Sequence, residues 1–88
     1  MEYKIEFKIS KTDGDRTETI IIVSTEDNLY SFSFTEHDPH TIDIEGRVID
    51  AYCNQYYMSN IQGYSFEEII NSYLENRDLN EDMYWNHD

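Results

Sequence analysis

Ile44-Glu45-Gly46-Arg47-Val48-Ile49-Asp50-Ala51-Tyr52-Cys53-Asn54-Gln55-Tyr56-Tyr57-Met58-Ser59 is the segment on which the architecture turns, because it sets how much helix the chain can lay against its strands. Ile44, Val48, Ile49, Tyr52, Cys53 and Tyr56 recur at helical spacing along one stripe, which predicts a helix over about 44–59. Gly46 opposes it by about 1 kcal/mol relative to Ala. A short fourth strand at Thr41–Glu45, followed by a helix from Arg47, is the alternative.

Upstream the pattern is β. From Glu2 to Ser10, Tyr3, Ile5, Phe7 and Ile9 alternate with Glu2, Lys4, Glu6 and Lys8, which predicts a strand (2–10) with its charged side wet. Asp13-Gly14 supplies turn chemistry, and the β-branched run Thr19-Ile20-Ile21-Ile22-Val23 predicts a second strand, 17–24. Thr25-Glu26-Asp27-Asn28 reads as the next turn, and a third strand, 29–35, sets Tyr30, Phe32 and Phe34 on one side. Pro39 cannot donate to a ladder and marks a connector. Downstream, Ser65-Phe66-Glu67-Glu68 is a capping box that opens a helix over 66–76, with Tyr64 placed to staple against Ile69. A further helical turn is expected over 79–85, with His87 in a terminal tail. The expected fold is therefore α+β: a single domain, 1–88, in which a three-stranded antiparallel meander packs against two helices.

Charge narrows the function. The 88 residues hold 19 acids and 6 bases, a formal net charge of −13, yet 39% are hydrophobic, too many for a disordered acidic tail. Residues 1–16 are neutral, with four bases and four acids, so 17–88 carry the whole excess, interleaved with core positions. Direct binding to nucleic acid or to an anionic membrane is disfavoured by repulsion. No apolar run is long enough to span a bilayer and Met1-Glu2-Tyr3-Lys4 is not a signal sequence, so a soluble cytosolic protein is expected. The one cysteine, Cys53, allows no internal disulfide; its place on the apolar stripe makes it a core residue and not a nucleophile.

Catalytic chemistry finds no purchase. There is no phosphate loop, nucleophile elbow or HExxH. Glu26-Asp27 and Glu67-Glu68 are paired carboxylates, but a chain this small has little interior in which to separate their pKa values. His37-x-x-His40, flanked by Glu36 and Asp38, holds possible metal donors, yet a proline-containing connector does not fix their directions as a helix would, and a solvated loop is the expected state. No cofactor is expected. Tyr3, Tyr30, Tyr52, Tyr56 and Tyr73 fall on expected core faces, whereas Tyr57, Tyr64, Tyr84 and Trp85 are less easily buried and suit either an interface or the ordinary partial burial of a small protein. A domain of this size is about 30 Å across, a length over which duplex DNA carries about 18 charges. Thirteen net charges approach that density, and solubility alone needs only about 2 to 8.

The run Ile20-Ile21-Ile22-Val23-Ser24-Thr25-Glu26-Asp27-Asn28-Leu29-Tyr30, then Val48-Ile49-Asp50-Ala51-Tyr52, then Glu67-Glu68 resembles the small acidic Cas9-inhibiting anti-CRISPR proteins of Listeria prophages, over roughly residues 17–76. That resemblance implies a DNA mimic, encoded by a phage, that occupies the PAM-reading cleft of guide-loaded Cas9. Thr25, Glu26 and Asp27 would correspond to the turn entering the cleft, and Glu67 and Glu68 to the acids before the last helix. Gln62-Gly63-Tyr64-Ser65-Phe66 is neutral where the family is densely acidic, and this chain opens in a strand where the family has a helix. The expected partner is a basic nucleic-acid-binding protein, a CRISPR effector or another nuclease, contacted through Thr25, Glu26, Asp27, Asp50, Tyr64, Glu67 and Glu68 of a monomer or homodimer. An antitoxin or immunity protein against a cationic nuclease toxin, an inhibitor of a restriction or repair enzyme, and an accessory domain with no such partner are the alternatives.

Overall fold

The computed structural model describes residues 2–37, 44–58, 64–75 and 86–87. Five strands run in chain order: β1 (Lys4–Asp13), β2 (Arg16–Ser24), β3 (Leu29–Glu36), β4 (Ile44–Asp50) and β5 (Gln55–Met58). One helix, α1 (Phe66–Leu74), and a two-residue strand, β6 (Asn86–His87), complete the described elements. All neighbours are antiparallel and the sheet order is β1-β2-β3-β4-β5-β6, a meander from β1 to β5 with α1 falling between β5 and β6 in the chain. The expected three-stranded sheet beneath two helices is therefore replaced, among the described residues, by a wider sheet with one short helix.

The difference lies at residues 44–58. The expected helix over 44–59 is a β4–β5 hairpin, in which Val48 pairs with Tyr56 and Gly46 with Met58. Residues eight apart share a helical stripe, and they also face each other across a hairpin centred between them; the apolar spacing alone does not choose. Asp50 chooses. Its carboxylate Oδ1 accepts from the backbone N–H groups of Tyr52 and Asn54, both at 2.9 Å, and Oδ2 accepts from the Asn54 side chain at 3.0 Å. Cys53 donates its N–H to the Asp50 carbonyl at 3.0 Å and takes φ 65. A tight turn closed by a left-handed residue forms where a helix would have continued. The alternative with a helix from Arg47 fails for the same reason, since β4 runs through Arg47 to Asp50. Residues 41–43 of its proposed strand, the expected turn at 79–85, Asp38, His40, Tyr84 and Trp85 lie outside the described residues. His87, expected in a tail, pairs with Tyr56 in β6.

The helix begins where its capping box places it. The Ser65 hydroxyl accepts from the Glu68 N–H at 3.1 Å and donates to the Glu68 carboxylate at 3.3 Å. Ile69, Ile70 and Leu74 turn inward and join Ile21, Val23, Phe32, Phe34, Val48 and Met58 in a single core. Each such side chain stabilises the fold by about 1.5–3 kcal/mol on burial. Phe66 stacks on Phe34 with centroids 4.3 Å apart, and Tyr73 meets Phe32, Tyr30 and Tyr56 edge-on at 5.4–5.7 Å. Burial pushes the Tyr73 phenol well above its ordinary value, with Tyr56, Tyr30 and Asp50 adding to the shift.

β1 departs from its alternation. Ile5 pairs with Val23 but Phe7 with Ile22, so a bulge at Glu6 inverts the strand partway along. Ile5 shares the face of the buried Val23, whereas Phe7 and Ile9 turn to the opposite face, where they are 49% and 51% exposed. The expected set Tyr3, Ile5, Phe7 and Ile9 is thus divided between two faces. Lys8 and Ser10 take the helix side, where the Ser10 hydroxyl meets the buried Thr19 hydroxyl at 2.9 Å.

Candidate functional site

The β2–β3 connection is built by its ends. Thr25 N–H donates to the Asn28 carbonyl at 2.9 Å, and Asn28 N–H donates to the Thr25 hydroxyl at 3.2 Å. Asn28 Oδ1 then accepts from the backbone of Leu29 at 2.8 Å and from that of Ala51 at 3.3 Å, which ties this turn to the β4–β5 turn beside it. With Thr25 and Asn28 engaged, Glu26 and Asp27 are left exposed at the tip. Glu2 joins Thr25, Glu26 and Asp27 around one depression. Among the described residues no lysine, arginine or histidine pairs with any of these three acids; the ion pairs are Lys4–Glu6, Arg16–Glu18 and His37–Glu45. Three carboxylates share one end of the sheet with no neutralising partner among the described residues, the arrangement that makes an electrostatic contact for cations or a basic surface.

The other expected contact residues are distributed differently. Asp50 lies in the adjoining turn, but its carboxylate is engaged by that turn's own amides and by Asn54. Glu67 and Glu68 occupy the first turn of α1, where carboxylates complement the positive end of the helix dipole. That helix starts over Phe34, five residues along β3 from Leu29, or about 17 Å by strand rise. The two acid pairs are thus placed by different elements, although Glu67 stands near enough to Tyr3, the neighbour of Glu2, to act on its phenol. Glu68 holds the cap, while Glu67 adds to the raised pKa of the Tyr3 phenol, which burial causes first. Tyr64 packs half-buried against the core.

Glu2, placed beside the β2–β3 turn, and Asn28, which fastens it, have no distinguishing signal in the sequence beyond a Thr-x-x-Asn spacing that suits a turn. Cys53 and Tyr52, expected in the core, are exposed at the tip of the β4–β5 turn, with Tyr52 at 75% exposure. His37 Nε2 lies 3.3 Å from Glu45 Oε2, and among the described residues no three His, Cys, Asp or Glu side chains converge on a point. No described helix is long and apolar enough to cross a membrane. No protein-family model matches the chain, and no curated protein or solved structure matches it.

Proposed function

We propose that the protein is a non-catalytic inhibitor that mimics DNA, acting in the bacterial cytosol by occupying the basic nucleic-acid groove of a defence nuclease, with guide-loaded Cas9 as the first target to test. The observation that carries this reading is the tip of the β2–β3 turn, where Glu2, Glu26 and Asp27 stand exposed without a basic partner among the described residues, on a molecule of net charge −13. The longest extent is 38 Å, over which a duplex carries about 22 phosphate charges, so the charge density is within a factor of about two of DNA. Lysines and arginines that hold phosphates would meet carboxylates held on a pinned turn, with fast, salt-sensitive association.

The test is displacement of a PAM-bearing duplex from guide-loaded Cas9, read by fluorescence anisotropy at low and moderate salt. The wild-type protein should displace the duplex, and its potency should fall about tenfold or more between ~50 and ~200 mM salt. The double reversal Glu26→Lys with Asp27→Lys should abolish displacement without changing the far-UV spectrum. Duplex binding left intact by saturating protein would sink mimicry at this effector, and full potency in the double reversal would remove the turn from the contact.

A further inference from the structure

We infer that the sheet face opposite α1 is the dimerisation surface of this protein, and that its occupant is a second copy of the chain. One-sided antiparallel sheets ordinarily turn polar side chains to solvent on the uncovered face. Here the register puts Phe7 and Ile9 of β1, Ile20 and Ile22 of β2, and Ile49 of β4 on that face, with the small Ser31 and Ser33 between them. A contiguous apolar patch of this kind marks an interaction surface.

Charge identifies the occupant. The same face carries Lys4, Lys11, Arg16 and Arg47 together with Glu6, Asp13, Glu18 and Glu45, by strand alternation and by the Ser24 hydroxyl's bond to Glu6. Four bases balance four acids, so the described residues leave this face without net charge on a molecule of −13. A strongly acidic or strongly basic partner gains nothing there, whereas two copies that repel elsewhere can approach through it. A two-fold axis in the interface and perpendicular to the strands lays the Lys4–Glu6 end of one sheet over the Arg16–Glu18 end of the other, so the mixed charges at the rim meet opposites.

The area suffices. Five strands span about 24 Å and eight residues of β3 about 27 Å, giving roughly 650 Å² per copy and about 1,300 Å² for the pair. That exceeds the ~1,000 Å² expected of a specific interface. The acidic β2–β3 turn lies at the end of the sheet, so dimerisation and target binding are separately testable.

Sedimentation equilibrium on the whole chain over ~10–500 μM is the experiment. The wild-type protein should approach twice its chain mass of 10.6 kDa. Phe7→Glu with Ile9→Glu, both at exposed positions, should weaken association about 100-fold or more with the far-UV spectrum unchanged. Ser31→Lys, at the centre of the face on β3, should do the same and decides the matter if the first variant fails to fold. A single-chain mass throughout the range overturns the inference, as does a dimer that survives both variants. A dimer broken by the β1 variant but not by Ser31→Lys overturns it as well, because that result assigns association to pairing along the β1 edge.

Discussion

Cys53 holds the least favourable backbone conformation among the described residues other than glycine: φ 65 at the close of the β4–β5 turn, with its side chain exposed. A left-handed L-residue costs about 1–2 kcal/mol, and glycine pays no such steric penalty. Cys53→Gly should therefore stabilise the protein by about 1 kcal/mol after the entropy that glycine adds to the unfolded chain, read as a higher urea midpoint at unchanged slope. The β-branched Cys53→Val should move the midpoint the other way. Two single residues carry the difference between the expected and the observed fold. Asp50 offers its carboxylate to the backbone two and four residues ahead, and Cys53 accepts the reversed φ. Asp50 and Asn54 are a short polar signal set inside an apolar stripe that continues on both sides of them, and the stripe dominates a reading of the sequence.

At the scale of the element, α1 and the hairpin turns are governed by neighbours in the chain. The two-residue β1–β2 turn uses Gly14 at φ 63, and the side chain of Ser65 caps the helix N-terminus. With no basic residue in the last turn of α1, the helix depends heavily on its start. Ser65→Ala should cost about 1 kcal/mol, detected as a lower urea midpoint; an unchanged midpoint would mean that Phe66 and Ile69 hold α1 without the cap. β1 shows what such local rules miss. Its alternation is strict as written, yet pairing with β2 inserts a bulge at Glu6 and turns Phe7 and Ile9 away from the helix. Nothing within residues 4–13 specifies that inversion, because a bulge is a property of two strands together.

For the whole molecule, the core is a single aromatic and aliphatic layer in which Tyr73 touches three other rings. Its folded pKa lies above the ordinary 10.0, so its neutral form stabilises the folded state fully below that pH, and the contribution is lost as pH rises beyond it. The protein should accordingly lose stability above pH ~10 in a way that Tyr73→Phe reduces, measured by urea denaturation at pH ~9 and ~11. Equal alkaline losses in both proteins would assign the titration elsewhere. Charge follows the same large-scale organisation: the sheet face opposite α1 is balanced among the described residues, while Glu2, Glu26 and Asp27 gather at one end and Glu67 and Glu68 sit at the start of α1.

Composition, net charge, the β1–β3 hairpin turns and the Ser65 cap could be read from residues close together in the chain, since propensity, turn chemistry and capping act over a few positions. The exposed acids Glu26 and Asp27 belong to that local class, because Thr25 and Asn28 build their turn. Three features depend on distant partners. Val48 and Tyr56 satisfy a helical stripe and a cross-strand pair equally; the Asp50 turn closes the hairpin locally, and β3 supplies the edge along which β4 pairs. Glu2 meets Glu26 and Asp27 only once β1 lies against β2. The charge balance of the described residues on the face opposite α1 follows from register, which sorts alternate residues of four strands to one side; a one-residue slip would send each strand's charges to the other face.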